Sequence, residues 1–219
     1  MVCPMLKTQS IEGFPQTNFQ TMVNGAIFKL KKGQTVSVWF DAGDLNGNTP
    51  LIAAEESTFS GVRLGDDDLV GFHAMKKGDA GLDPKTLTMI DSWEPRSNTF
   101  YSFNNGNHFD EKVGSFTAPV AGVYALEASS RFEDANGDYY RLAVCVNDEG
   151  NEGHESGHGI IRGETYGTGY WTASLSSTLR LNKDDTVKLC AYNGGHGWDG
   201  VYINSQSAWS MALVHKLTA

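Results

Sequence analysis

From Phe109 to Val214 the sequence advances in short apolar alternations separated by glycine, asparagine, aspartate or proline, and no helical period of useful length appears anywhere in the chain. A period of two over four to eight residues, closed off by turn residues, is the mark of half-buried strands. Strands are expected at Arg141 to Val146, Thr172 to Leu181, Thr186 to Tyr192 and Ala208 to Val214, with a weaker one around Thr86 to Met89 and another restarting at Val70. Phe116 to Leu126 reads as a strand, a corner and a second strand, with Pro119 where no ladder bond is needed and Gly122 just before the strand resumes. Glycine at 25 residues and aromatics at 11% fit many strands joined by tight turns. The expected class is therefore all-β, as a sandwich or barrel.

One segment of this pattern occurs twice. Leu30, Gly33, Thr35, Val36 and Trp39, followed by Phe59 and Ser60, match Leu181, Asp184, Thr186, Val187 and Cys190, followed by Trp209 and Ser210. The offset is 151 residues from Thr35 to Thr186 and 150 from Phe59 to Trp209, the length of one ordinary domain rather than of a solenoid repeat. The second copy has strand-like sequence before it and the first has no counterpart, so the chain reads as beginning inside a domain. The acidic joint Asp66 to Asp68 is the boundary, giving a partial module over 1–65 and a complete one over 66–219. The partial module would lack its early strands and expose open edges, and is expected to be loosely ordered or docked on a neighbouring surface.

A net charge of -9 with no lysine or arginine cluster argues against nucleic acid as a partner. No apolar run approaches the roughly 18 to 20 residues that span a bilayer, and Met1 to Lys7 is not a secretion leader. Cys3, Cys145 and Cys190 match no metal spacing. Cys145 and Cys190 belong to strands, on the faces opposite their aliphatic neighbours; they are either two separate thiols or a pair, the latter if their strands are adjacent.

Asn104, Phe109, Phe116, Gly122 and Tyr124 stand at the spacings N-x4-F-x6-F-x5-G-x-Y. This pattern resembles the signature of the globular head of the complement C1q family. The resemblance runs on through Arg141 to Asn147, Leu179 to Val187 and Ser207 to Ser210, and covers about Leu69 to Leu217. It departs at Asn98, where the signature has phenylalanine, and at Leu126 and Ala128, where aromatics are usual. It implies a ten-stranded jelly roll related to tumour necrosis factor, assembled as a homotrimer, in secreted proteins that recognise ligands without catalysis. On that reading the module is extracellular and binds carbohydrate, protein or microbial-surface ligands, with an innate immune role. The rival reading is a cytokine-like or adhesive structural protein on the same roll, acting through a receptor. The resemblance also implies that Cys145 and Cys190 lie on neighbouring strands, which favours a disulfide. The five signature residues are read as scaffold, since aromatics of this size organise a core between two sheets.

Few constellations suggest chemistry. His154, Glu155 and His158 spell the zinc-protease motif, but Gly157 stands within it and Gly150, Gly153 and Gly159 bracket it, each costing a helix about 1 kcal/mol relative to alanine. The match is read as accidental, and no catalytic residue is assigned. Asp134, Asn136 and Asp138 alternate around Gly137 like part of a calcium loop, though the closing glutamate is missing and a plain turn is the stronger reading. Calcium is the candidate ion for this loop, opportunistic binding of a transition metal by His154 and His158 is the milder reading of the other, and no further cofactor is expected. Tyr139, Tyr140, His196, Trp198 and Asp199 place aromatics in or beside predicted loops, where a glycan or protein ligand could stack, although burial is the commoner fate of such rings.

Overall fold

A computed structural model describes residues 70–94, 103–147, 162–194, 201–205 and 207–217, together with 27, 30, 33 and 35–37; the side chains of 134–139 and 162–171 are outside the described set. The described part of 66–219 is built from strands alone. In chain order they are β1 (Gly71–Lys76), β2 (Ala80–Leu82), β3 (Leu87–Met89), β4 (Trp93–Glu94), β5 (Phe103–Asn105), β6 (Phe109–Asp110), β7 (Ser115–Thr117), β8 (Gly122–Val146), β9 (Arg162–Leu181), β10 (Thr186–Asn193), β11 (Val201–Ile203) and β12 (Ala208–Lys216). The fold is the expected jelly-roll sandwich, with twelve strands among the described residues in place of ten. Every pair of named strands is antiparallel, and the ladder runs β4-β1-β12-β8-β10-β7-β6.

The long β8–β9 ribbon makes this single ladder into two layers. The first part of β8 pairs with β12 and its last part with β10, while β9 follows β8 from Gly122 to Ala143. Two register shifts, between Phe132 and Ala135 and between Asn136 and Tyr139, each add one residue to β8. A bulge bends its strand and strengthens the local twist, and two in succession carry β8 from one layer to the other. They also restore the side-chain alternation. Tyr124, Leu126 and Ala128 point into the core before the shifts, and Tyr140, Leu142 and Val144 after them.

Asp134 to Asp138, expected as a turn, thus have their backbone within β8. A pattern rich in Asp, Asn and Gly favours a turn locally, but pairing of both flanks with β9 holds the backbone extended.

The aromatic signature fills the space between the layers. Phe72 of β1 stacks on Phe109 with centroids 3.9 Å apart and lies 5.5 Å from Phe116, while Phe116 meets Tyr124 edge-on at 5.6 Å. The Asn104 amide donates to the Phe109 carbonyl at 2.8 Å, and its Oδ1 accepts the Phe109 N–H at 3.3 Å. This clamp across the β5–β6 turn requires an asparagine five residues before the phenylalanine. Leu126 and Ala128, the two departures from the signature, are core residues all the same. The Tyr124 hydroxyl donates to the Val120 carbonyl at 2.8 Å, and burial pushes its phenol above the ordinary range.

Gly122 is required by close approach. A Cβ there would lie 2.5 Å from Leu213 Cδ1 and 2.8 Å from the His215 carbonyl oxygen. The leucine can rotate away, whereas the carbonyl belongs to the β12 backbone beside the Leu213/His215 register shift. Gly122→Ala is expected to cost roughly 1–3 kcal/mol, the usual range for overpacking. An unchanged midpoint in urea unfolding would show that β12 yields freely.

Cys145 and Cys190 form a disulfide across the β8–β10 pair, with Cα atoms 6.5 Å apart. Both are on the face away from the main core, in a small cluster with Ala143, Leu87 and Met89. Their opposition to Val144 and Leu189 is the alternation expected from the sequence.

The repeated segment differs between its copies. The second copy forms the turn from β9 into β10, where Asp184 takes a φ of 72° and Asn147 holds the turn by accepting the Thr186 N–H at 2.8 Å and donating to Asp185 at 2.9 Å. In the first copy Gly33 has a φ of 87° at the position corresponding to Asp184. Its flanks are not comparable: Leu30 is 43% exposed and Val36 38%, against 2% for Leu181 and 0% for Val187. Thr35 to Ser37, which alternate like Thr186 to Lys188 of β10, form no strand. An apolar alternation gives a strand only where a neighbouring strand and an opposing layer receive it.

Candidate functional site

Residues singled out from the sequence do not gather at one place. Tyr140 is 1% exposed, with its ring centroid 5.4 Å from Phe132 inside the main cluster. It is therefore a core residue, not an exposed ligand platform; its even position on β8 turns it inward. Tyr139 is its strand neighbour and pairs by backbone with Tyr166, while its side chain lies outside the described residues, as do those of Asp134, Asn136 and Asp138. His154, Glu155, His158, His196, Trp198 and Asp199 are also outside the described residues. Among the described residues no three His, Cys, Asp or Glu side chains converge as metal ligands, and no helix is long and apolar enough to cross a membrane.

Two groupings arise instead from topology. The first surrounds the turn from Asn204 to Ser207 between β11 and β12. The Asn204 N–H donates to the Arg131 carbonyl at 3.0 Å, the Arg131 N–H to Ser207 Oγ at 3.1 Å, and the Lys76 N–H to the Ser207 carbonyl at 2.9 Å. Around this backbone hub, the Asn204 amide donates to Glu133, whose carboxylate lies 4.0 Å from Arg131 Nε. Asp79 accepts the Ser205 N–H at 3.2 Å. Lys76 is 1% exposed and its ammonium donates to the Lys77 carbonyl at 3.2 Å. Burial lowers its pKa from the ordinary lysine value, with Asp91 and Asp79 pulling the other way. Of this grouping, the exposed Asp79 and the half-buried Arg131 and Glu133 are the groups that suit hydrogen-bonded recognition of a polar ligand.

The second grouping is a rank across the outer face of the β1–β12–β8 layer. Cross-strand pairing aligns Phe103, His73, Ser210, Glu127 and Ser176 on β5, β1, β12, β8 and β9 in turn. Ser176 Oγ donates to the Glu127 carboxylate at 2.6 Å. Burial pushes the Glu127 pKa up, and the Ser176 bond opposes it. His73 is 2% exposed, and desolvation lowers its pKa to about 4. A serine, a histidine and a glutamate thus stand in one rank, but the serine lies between the other two. A nucleophile–base–acid relay needs the histidine in the middle.

Neither grouping is visible in the sequence. Glu127 and Ser210, or Asp79 and Ser205, are far apart in the chain and carry no local motif; only the sheet register joins them.

No family model and no curated protein matches the chain. Solved structures do. The Eiger tumour necrosis factor of S. frugiperda aligns with a TM-score of 0.51 at 12% identity, over 70% of this chain and 97% of that one. The globular domain of the zebrafish complement 1qA protein aligns with a TM-score of 0.46 at 16% identity, over 67% and 98%. Murine APRIL aligns with a TM-score of 0.47 at 12% identity, over 66% and 98%. The Eiger alignment is a likeness of fold, and agrees with the jelly roll built above from strand order and core.

Proposed function

We propose that the complete module is an extracellular, non-enzymatic recognition domain of the C1q type, active as a homotrimer and binding glycan or protein ligands on cell or microbial surfaces. The observation that carries this reading is the use made of the signature residues. Asn104, Phe109, Phe116, Gly122 and Tyr124 all serve the scaffold, as a turn clamp, stacked core rings and a close strand crossing. Recognition then falls to connecting segments and edges, where Asp79, Arg131 and Glu133 offer polar contacts held from behind by the buried Asn204, and the stretch holding His196, Trp198 and Asp199 adds aromatic ones. A disulfide between Cys145 and Cys190 suits an oxidising, extracellular setting.

Light scattering of the full chain at micromolar concentration, alongside a glycan array, tests both halves of the proposal. The expected mass is three times the 23.8 kDa chain, with binding to a defined glycan class that Glu133→Gln weakens. A strict monomer removes the trimeric reading. A trimer that binds no glycan but captures a receptor protein moves the assignment to the cytokine-like alternative.

A further inference from the structure

We propose that the outer face of the β1–β12–β8 layer is a docking surface whose occupant is the chain's own N-terminal stretch, anchored by Ile27. One side of an antiparallel sheet is ordinarily free to face water. Here the residues that point away from the core are covered: Phe103 is 9% exposed, His73 2%, Ser210 1% and Ala212 0%. Ile27 is the described residue seated over them. It is 8% exposed and forms a separate apolar cluster with Phe103, Ala212 and the half-buried Ala125.

The contact also meets the polar requirement of a buried backbone. The Ile27 N–H donates to Ser210 Oγ at 3.3 Å across 183 residues of sequence, and the Ser210 hydroxyl donates in turn to the Glu127 carbonyl at 3.4 Å. The surface beneath is lined by small side chains: Ala212 and Ala125 are opposed across β12 and β8, and both belong to the cluster with Ile27. Exposure rises along the rank, since Glu127 is half-buried and Ser176 exposed. Along this rank burial is therefore deepest over β1 and β12 and falls off toward β9.

Burial under this cover agrees with the low pKa of His73. The groups facing the imidazole along the rank are Phe103 from β5 and Ser210 from β12, with Glu127 of β8 beyond the serine as the rank's other titratable group. Docking therefore favours neutral imidazole. Its stabilisation is complete above the free imidazole value of about 6.5 and is lost as the pH falls through about 4.

The test uses the full-length chain with Cys3→Ala, Ile27→Cys and Ser210→Cys. Mild oxidation is expected to give an internal cross-link in a species of single-chain mass, seen as a disulfide-linked peptide pair after digestion. A covalent dimer would assign the face to a second copy, and free thiols would leave Ile27 undocked; either result overturns the proposal. Should that variant fail to fold, imidazole NMR titration of the unaltered chain decides, with His73→Gln identifying the resonance. His73 is expected to titrate near 4 there and to move up toward about 6.5 in Ile27→Ser. Titration near 6.5 in the unaltered chain, or the same midpoint in both proteins, overturns the proposal.

Discussion

Trp209→Ala is expected to destabilise the jelly roll by roughly 3–5 kcal/mol, the range for removing a fully buried large aromatic. Trp209 is 0% exposed and stands where three other rings meet, edge-on to Phe72 at 4.9 Å, to Phe109 at 5.3 Å and near Trp93 at 5.9 Å. Its removal opens a cavity between the two layers and deprives the Phe72–Phe109 stack of its edge contact. Neighbours cannot simply close in, because Phe72 and Trp209 are each held in a strand ladder and cannot shift without breaking register. Trp209→Phe is the control. The indole N–H of Trp209 meets no acceptor among the described residues, so phenylalanine keeps most of the ring contact and removes an unsatisfied donor. Its expected cost is below half that of alanine. Urea unfolding followed by far-UV circular dichroism measures both, since fluorescence would change with the tryptophan itself. A loss under about 1 kcal/mol for Trp209→Ala, the level of an ordinary surface change, would place the residue outside the core.

The second large effect concerns the disulfide. Cys145 and Cys190 are 45 residues apart, and a cross-link of that span removes about 4 kcal/mol of loop entropy from the unfolded chain in the chain-entropy account. Cys145→Ala with Cys190→Ala is therefore expected to lower stability by roughly 2–4 kcal/mol, and reductant should do the same to the unaltered chain. Cys3→Ala should do neither. The chain has three cysteines, so alkylation without reduction is expected to modify one, and three after reduction and unfolding. Equal melting temperatures with and without reductant, after the thiol count has confirmed the bond, would show that native-state strain cancels the entropic gain.

Much of the fold is legible in the sequence because it depends on local pattern. Arg141 to Val146 and Thr186 to Tyr192 alternate clearly and become the paired ends of β8 and β10. The clamp and the glycine of the signature are legible as well, since Asn104 to Phe109 is one turn and Gly122 precedes a strand. Legibility fails where a distant partner overrides the local preference. Asp134 to Asp138 has the composition of a turn and is held in β8 by pairing with β9. Tyr140 looks available beside a predicted loop, and the bulges in β8 return it to the core. Thr35 to Ser37 has the alternation of a strand and, in the described structure, forms none.

The site shows the same division more sharply. Hydrogen-bonded groups within a few residues, such as Asn182 and Asp185, can be recognised as a turn in advance. The rank from Phe103 to Ser176 depends on four strand registers at once, and a slip of one residue in any of them would turn its member to the other face.

The strand class, the aromatic core and the opposition of the cysteines to their aliphatic neighbours are written in the local pattern, because they follow from a side-chain period of two and from the volumes of Phe, Tyr and Trp. Which polar side chains meet, the burial of Tyr140 and the contact of Ile27 with Ser210 come from the assembled layers. Those outcomes depend on register and on the crossing of β8 between layers, and both are set by the free energy of the whole sandwich rather than by any one segment.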